Sequence, residues 1–274
     1  VGDTRRALGT LAAAWRARFD IPLVAVTGSN GKTTVKEMLA AILGVRHEVL
    51  ATRGNLNNDI GVPLTLARLA AGHTAAVIEM GANHHGEIAW LTGLARPTVA
   101  LITNAGPAHL EGFGSLEGVA RAKGEIYDGL DARGLAVINR DDTYADYWLE
   151  RVQGRRVMTF GLDPRADVSA EVTVRETGQH LALRTPAGDI DVELALPGRH
   201  NVVNALAAAA AALGAGADLA AIRTGLEAIQ PVGGRLQLHR CADDIGVIDD
   251  TYNANPGSVH AALEVLAQLP GEHW

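Results

Sequence analysis

The segment 24–34 constrains the fold of this chain more than any other sequence feature. Apolar β-branched residues lead into a glycine-rich turn at 28–31, a Lys-Thr-Thr sequence follows, and a helical pattern runs over 35–43. This order predicts a strand, a loop that holds phosphate, and a helix that begins at the loop. The predicted phosphate-binding residues are Thr27, Gly28, Ser29, Asn30, Gly31, Lys32, Thr33 and Thr34.

The residue types in this loop suit the phosphates of a nucleoside triphosphate. Glycine lets backbone N–H groups point at phosphate oxygens, and a helix N-terminus favours negative charge. Lys32 adds a positive charge and Thr33 offers a hydroxyl to Mg²⁺. The common P-loop pattern has glycine where this chain has Val26, so only the shorter G-x-x-G-K-T-T is present.

Short apolar runs alternate with helical patterns over the first 160 residues, which predicts a mainly parallel α/β sheet with helices on both faces. The predicted strands are Leu23–Val26, Glu48–Ala51, Ala75–Glu79, Val99–Ile102, Leu135–Ile138 and Arg156–Phe160. The predicted helices between them are Val35–Leu43, Pro63–Leu69, Glu87–Gly93, Leu116–Leu130 and Thr143–Arg151. Ligands of such sheets bind beyond the carboxyl ends of the strands, where the glycine-rich turn lies.

The hydrophobic period changes to two over 167–196, which predicts a small antiparallel sheet appended to the main one. Two helices follow, and the sequence Pro-Val-Gly-Gly at 231–234 indicates a hinge. We therefore expect residues 1–20 to form a linker helix from a missing N-terminal domain. Residues 21–232 form the central domain, and 233–274 begin a truncated, Rossmann-like C-terminal domain, because about 40 residues are too few for a core.

Composition narrows the class of protein. A net charge of −7 with no basic stripe argues against a partner nucleic acid. The single cysteine, Cys241, fits the reducing cytoplasm, and no apolar run approaches the length of a membrane span. We expect a cytoplasmic monomer.

Three residues are candidates for catalytic chemistry. Glu79 ends a predicted strand and suits a Mg²⁺ ligand beside the phosphates, or else faces solvent. His109 follows another strand at the same edge, where it serves a metal, a phosphate or only the loop. Lys123 lies on a helix and, on local pattern alone, is a solvated lysine, with Glu125 a surface charge.

Three polar segments are candidates for ligand binding. The loop 53–59 carries an arginine and three amides, which either bind a polar ligand or satisfy the loop backbone. Asn201 and Asn204 open an alanine-rich helix and suit a base edge, although Asn201 also suits an N-cap. In the segment 249–256, Asp250 and Asn255 fit a helix cap, and Asp250 equally fits a ribose hydroxyl.

These motifs, in this order along the chain, resemble the Mur ligase family of ATP-dependent amide ligases. The matching positions are 27–34, Glu79, 104–109, Lys123, 198–204, Arg235 and 250–255. Within the family, segments 54–63, 79–83 and 252–256 are most similar to the members that add D-alanyl-D-alanine to UDP-N-acetylmuramoyl-tripeptide. Family members share the short G-x-x-G-K-T-T, so Val26 fits the resemblance.

The resemblance implies a role for each motif. Lys123 becomes carbamylated and binds a second Mg²⁺ with Glu79 and His109, while Thr33 binds the first. Asn201 and Asn204 contact adenine, Asp250 the ribose and Arg235 the γ-phosphate. The implied substrate-binding residues are Asn57, Asn58, Asp59, Tyr252 and Asn255. Lys32 completes the catalytic set.

The implied reaction joins the tripeptide carboxylate to the amine of D-alanyl-D-alanine through an acyl phosphate, with ATP and Mg²⁺. We expect the flanking domains of the family to be missing and therefore expect negligible activity from this piece alone. Two alternatives remain, namely a related ligase such as folylpolyglutamate synthase or another Mur enzyme, and a nucleotide-binding module without ligase activity.

Overall fold

A six-stranded parallel sheet forms the centre of the chain. The computed structural model describes residues 2–108, 110–175, 178–241, 245–269 and 271. The sheet contains β1 (Leu23–Thr27), β2 (Val49–Ala51), β3 (Ala75–Glu79), β4 (Val99–Ile102), β5 (Leu135–Asn139) and β6 (Arg156–Phe160). Its order is β2-β3-β1-β4-β5-β6, and all five pairings are parallel. The predicted α/β class and all six predicted strands are confirmed.

The sheet is buried on both faces, as its continuous apolar strands require. In β1, Val24 and Val26 belong to the core on one face, while Leu23 and Ala25 belong to the core on the other. All five residues of β1 are buried. The strand that leads into the glycine-rich turn is therefore held rigidly at the middle of the sheet.

Ten α-helices occur in the described part of the chain. They are α1 (Thr4–Arg16), α2 (Lys32–Gly44), α3 (Gly61–Leu66), α4 (Glu87–Ala95), α5 (Leu110–Phe113), α6 (Leu116–Gly124), α7 (Ala145–Arg151), α8 (Arg199–Gly214), α9 (Leu219–Glu227) and α10 (Pro256–Gln268). Helices α2, α8 and α9 cover one face of the sheet, and α1, α3, α4, α6 and α7 cover the other. No helix among the described residues is both long and apolar enough to cross a membrane.

Two smaller antiparallel sheets complete the structure. The first contains β7 (Ser169–Val174), β8 (Gln179–Thr185) and β9 (Gly188–Leu194), which confirms the prediction for 167–196. The second pairs β10 (Gln237–Arg240) with β11 (Gly246–Asp249), and α10 follows it. The division into domains at 20 and 232 stays a prediction.

The prediction of one helix over 116–130 is wrong. Helix α6 ends at Gly124, and a 3₁₀ turn over Glu125–Tyr127 follows. The side chain of Glu125 leaves this turn to accept hydrogen bonds from the backbone N–H groups of Gly86 (2.8 Å) and Ala89 (3.2 Å). Glu125 is thus not a surface charge, since it caps the N-terminus of α4.

Helix α1 is capped at its start and anchored to the body of the protein at its end. Asp3 caps it by accepting hydrogen bonds from the next turn of backbone. At the other end, Arg16 is buried and its Nε donates to the carbonyl of Ala95 (3.0 Å). The indole of Trp15 donates to the carbonyl of Leu69 (3.0 Å). These long-range contacts determine where the start of α1 lies relative to the sheet.

Candidate active site: a cleft at the carboxyl edge of the sheet

A cleft of about 850 Å³ opens at the carboxyl edge of the parallel sheet. It gathers residues from the turn after β1, the end of β3, helices α6 and α8, and the segment that contains β10 and β11. The predicted site residues that line it are Ser29, Asn30, Gly31, Lys32, Thr33, Thr34, Asn57, Asn58, Asp59, Glu79, Lys123, Asn201, Asn204, Arg235, Asp250, Tyr252 and Asn255. Thr27 and Gly28 are buried and do not line the cleft. His109 lies outside the described residues.

The turn after β1 has the backbone geometry of an anion-binding loop. Gly31 has φ of +79° and is the N-cap of α2, and no side chain caps this helix. The N–H groups of the first turn of α2 are therefore left for an anion. Gly28 has φ of +146°, and a Cβ there would lie 1.9 Å from the Thr103 hydroxyl. Both positions require glycine.

The side chain of Lys32 folds back over the glycine-rich turn that precedes it. Its ammonium donates hydrogen bonds to the carbonyl oxygens of Gly28 (2.8 Å) and Ser29 (3.0 Å). Burial lowers the pKa of Lys32; the charge of Glu79 opposes this shift, and that of Arg235 adds to it. Lys32, Glu79 and Arg235 thus form a group of interacting charges around the turn.

Residues after β4 hold the glycine-rich turn in place. The side chain of Asn104 accepts from the backbone N–H of Asn30 (3.0 Å), and its carbonyl accepts from that of Ser29 (3.0 Å). The hydroxyl of Thr103 donates to the Asn30 carbonyl (2.6 Å). Thr103 and Asn104 were not among the predicted binding residues. The available signal was their position directly after a strand that neighbours β1.

Glu79 is a buried carboxylate at the centre of the site, so the alternative of a solvent-facing residue is wrong. Only 2% of its surface is exposed. One carboxylate oxygen accepts from the hydroxyl of Thr33 (3.0 Å), and the other accepts from the amide of Asn57 (2.8 Å). The loop 53–59 thereby reaches the phosphate-binding turn. Together, Thr33 and Glu79 offer the oxygen donors that Mg²⁺ prefers.

Lys123 is buried, and the interpretation as a solvated helical lysine is wrong. It is 2% exposed and its ammonium lies 5.3 Å from the ring centre of Phe113. Burial, followed by the charge of Lys32, lowers the pKa of Lys123 to about 7, while the charges of Glu125 and Glu87 oppose this shift. A lysine that lines the cleft and has this pKa is partly a neutral amine near pH 7.

The start of α8 packs directly against the glycine-rich turn. Asn204 donates to the side chain of Asn201 (3.2 Å), which in turn donates to the carbonyl of Pro197 (2.8 Å). A Cβ at Gly31 would lie 2.4 Å from the Asn204 side-chain oxygen. The two amides are therefore fixed by each other beside the phosphate loop. Neither acts as the N-cap of α8, which is Gly198.

The segment that follows the predicted hinge contributes a second wall of the cleft. Arg235 donates to the hydroxyl of Thr33 (3.0 Å), and its guanidinium lies 4.4 Å from the ring centre of Tyr252. The Nε of Arg235 is buried with no hydrogen-bond partner. Burial raises the pKa of Asp250, which accepts from the backbone N–H of Leu236 (3.2 Å).

Asn255 has two structural roles. It caps α10 in a capping box with Ser258, so the cap belongs to Asn255 and not to Asp250. Its amide also donates to the side-chain oxygen of Asn30 (2.7 Å). This contact joins the glycine-rich turn to α10, and no local sequence pattern predicts it. Other cleft residues to which the sequence analysis gave no site role are Arg5, Asn83, Glu87, Trp90 and His200, although Asn83 and His200 lie in the family-matching segments.

Comparison with known proteins now defines the family. The profile of the Mur ligase middle domain matches residues 26–212. The chain belongs to the Mur ligase family. The matched range covers β2 to β6, the end of β1, the glycine-rich turn, Glu79, Lys123 and most of α8. Arg235 and the segment after it lie outside the range.

Several Mur ligases are similar to this chain over nearly its whole length. The UDP-N-acetylmuramoyl-tripeptide--D-alanyl-D-alanine ligase of Escherichia coli K12 is 51% identical over 273 residues, which is 99% of this chain and 60% of that protein. A structure named UDP-N-acetylmuramoylalanyl-D-glutamyl-2,6-diaminopimelate--D-alanyl-D-alanyl ligase, from Acinetobacter baumannii, is 44% identical with a TM-score of 0.92. The alignment covers 99% of this chain and 60% of that structure.

A more distant Mur ligase structure has a bound nucleotide. The MurF ligase of Thermotoga maritima, in complex with ADP, is 28% identical with a TM-score of 0.85, over 99% of this chain and 63% of that one. The chain thus spans about 60% of the length of these relatives.

Proposed function

We propose that this Mur ligase is an ATP-dependent, ADP-forming amide ligase that adds D-alanyl-D-alanine to UDP-N-acetylmuramoyl-tripeptide in the cytoplasm. The observation that carries the proposal is the meeting of the glycine-rich turn, Glu79, Lys123 and Arg235 in one cleft. A module that only binds nucleotide has no need for a buried carboxylate and a buried lysine beside the phosphates. The substrates are those in the names of the similar ligases.

ATP binds with its phosphates on the turn 28–31 and the N-terminus of α2. Lys32 and Arg235 are the cations nearest to the transferred phosphate, and the buried, unpaired Nε of Arg235 has a donor to offer. Asn201 and Asn204 lie on the adenine side, and Asp250 lies on the ribose side. In this arrangement positive charge is fixed where the γ-phosphate gains negative charge during transfer.

The residues of the cleft fit Mg²⁺. The Thr33 hydroxyl and the Glu79 carboxylate, whose oxygens lie 3.0 Å apart, each offer an oxygen ligand of the kind that hard cations take. Thr33 would hold one ion together with the phosphates, and Glu79, with Lys123 as its carbamate and His109, would hold a second. When bound, Mg²⁺ neutralises phosphate charge and fixes the phosphate oxygens.

Lys123 has the properties needed for carbamylation. Carbamylation requires a neutral amine, which attacks the carbon of CO₂, forms an N–C bond and releases one proton. A pKa of about 7 supplies that neutral form near physiological pH. The product is an anion close to Lys32, which removes the repulsion between two ammonium groups and creates an oxygen donor.

The reaction then proceeds in two displacements. The tripeptide carboxylate attacks the γ-phosphorus, a bond to ADP breaks, and an acyl phosphate forms. The amine of D-alanyl-D-alanine attacks the acyl carbon, phosphate leaves, and the amine loses its proton. Lys32, Arg235 and the backbone N–H groups stabilise the charge on the phosphoryl oxygens. The protein therefore acts by positioning the substrates and neutralising phosphate charge, and it supplies no covalent nucleophile.

The test is amine-dependent phosphate release by the complete protein that carries this chain. With ATP, Mg²⁺ and UDP-N-acetylmuramoyl-tripeptide, we expect D-alanyl-D-alanine to stimulate release, while L-glutamate and single D-alanine do not. Stimulation by L-glutamate with a folate acceptor would support folylpolyglutamate synthase instead. Nucleotide binding without phosphate release under any of these conditions would support a binding module and overturn the proposal.

A further inference from the structure

An exposed ion pair lies on the wall of the cleft. Arg5, in the first turn of α1, and Asp59, in the loop before α3, both line the cleft. The guanidinium Nη1 of Arg5 donates to the Asp59 carboxylate at 3.1 Å. Their side chains are 67% and 39% exposed. An exposed pair contributes little to stability, so a ligand loses little by replacing it.

The backbone that carries each partner is held in position by neighbouring contacts. Asp3 accepts from the backbone N–H of Arg5 (2.9 Å), and the guanidinium of the next residue, Arg6, lies 5.2 Å from the ring centre of Trp90. On the other side, Asn58 accepts from the backbone N–H of Gly61 (2.8 Å) and fixes the loop that carries Asp59. The backbone of both partners is therefore fixed in the cleft wall, and their side chains meet there.

The pair lies at a defined chain separation from the reacting end of the cleft. Asn57 donates to Glu79, which contacts Thr33 of the phosphate loop. Asp59 is two residues beyond Asn57, so their Cα atoms are at most about 7 Å apart. An acceptor whose carboxylate reacts beside Glu79 can thus place a short side arm against Arg5 and Asp59.

We propose that Arg5 and Asp59 bind the distal end of a diaminopimelate side chain in the acceptor, and so select it over lysine. This inference rests on the proposed ligase function. The side chain of 2,6-diaminopimelate has three methylene groups and ends in a carbon that bears both a carboxylate and an ammonium group. The carboxylate pairs with Arg5, which suits two parallel hydrogen bonds, and the ammonium pairs with Asp59.

A lysine side chain does not complement this pair. It carries an ammonium group for Asp59 but no carboxylate for Arg5, and it brings a positive charge next to the guanidinium. Such like-charge contact discriminates against the wrong ligand, while the matching zwitterion gains both contacts. Arg5 is therefore the residue that determines specificity, and Asp59 serves either side chain.

The experiment compares two acceptors in the complete protein, one with meso-diaminopimelate and one with lysine as the third residue. Substituting Arg5→Gln should raise KM for the diaminopimelate acceptor about 10- to 100-fold, the usual cost of a lost charged hydrogen bond. KM for the lysine acceptor should not rise, because the substitution removes a repulsive charge, and KM for ATP should stay within about twofold. Arg5→Lys should restore part of the affinity for the diaminopimelate acceptor. Asp59→Asn should raise KM for both acceptors.

The control is Arg46→Gln, which breaks another exposed ion pair, with Asp218, and neither of these residues lines the cleft. Arg46→Gln should leave KM for both acceptors unchanged. Equal loss on both acceptors in Arg5→Gln, or no preference for diaminopimelate in the unmodified protein, would overturn the inference while leaving the ligase function intact. Absence of D-alanyl-D-alanine-dependent phosphate release with either acceptor would instead overturn the proposed function.

Discussion

Replacing Lys123 with methionine should stabilise the fold, and by an amount that depends on pH. The lysine is 2% exposed, and its ammonium group faces another cation, Lys32. Methionine has similar length, fills the same space and carries no charge. The substitution therefore removes a buried titrating group with little change in packing.

The magnitude follows from the pKa of Lys123, which is lowered from 10.5 to about 7. Between these values the unfolded chain binds the proton and the folded chain does not, so stability rises with pH across that window. Below pH 7 the charged lysine costs the fold about 5 kcal/mol, since each pKa unit is worth about 1.4 kcal/mol. At pH 9 the remaining cost is about 2 kcal/mol.

The measurement is the free energy of unfolding in urea for both proteins at pH 6 and pH 9, in buffers depleted of CO₂. The advantage of Lys123→Met should fall by about 3 kcal/mol from the lower to the higher pH. The surface variant Arg46→Gln should stay within about 0.5 kcal/mol of the parent at both. An advantage that does not change with pH would refute the argument that Lys123 is held with a lowered pKa.

Three further outcomes are expected. Gly31→Ala should destabilise the chain by about 2 kcal/mol and weaken ATP binding in calorimetry, because the new methyl group meets the side chain of Asn204 at positive φ. Single and double alanine substitutions at Asn30 and Asn255 should show a coupling of about 1 kcal/mol in urea unfolding, and additive effects would mean that their hydrogen bond is not formed. Glu79→Gln should lower kcat/KM of the complete protein at least about 100-fold in a phosphate-release assay, and a loss below tenfold would exclude a role in binding the metal.

The sequence was sufficient for the sheet and for the phosphate loop because both are encoded locally. Continuous apolar runs such as 23–26 identify strands that are buried on both faces, and the segment 28–34 carries its own turn chemistry. The carboxyl edge then followed from parallel pairing alone. Because Glu79 ends a predicted strand, we expected it at that edge, and it lies there in the structure.

The sequence was insufficient where burial and pairing depend on distant parts of the chain. The local pattern around Lys123 is that of an ordinary amphipathic helix, and only packing against Phe113 and the cleft shows that the lysine is buried. Glu125 likewise looks like a surface charge until its bonds to the start of α4 are seen. The family resemblance, and not the residues themselves, pointed to Lys123.

The contacts of Arg235 with Thr33 and of Asn255 with Asn30 span 202 and 225 residues of chain. During synthesis the sheet and the glycine-rich turn emerge from the ribosome long before these partners exist. The nascent chain thus carries an incomplete nucleotide site until the segment with Arg235 and Asn255 has folded onto it. A product interrupted before residue 235 would contain the whole parallel sheet yet lack one wall of the cleft, so nucleotide affinity can report whether synthesis has passed that point.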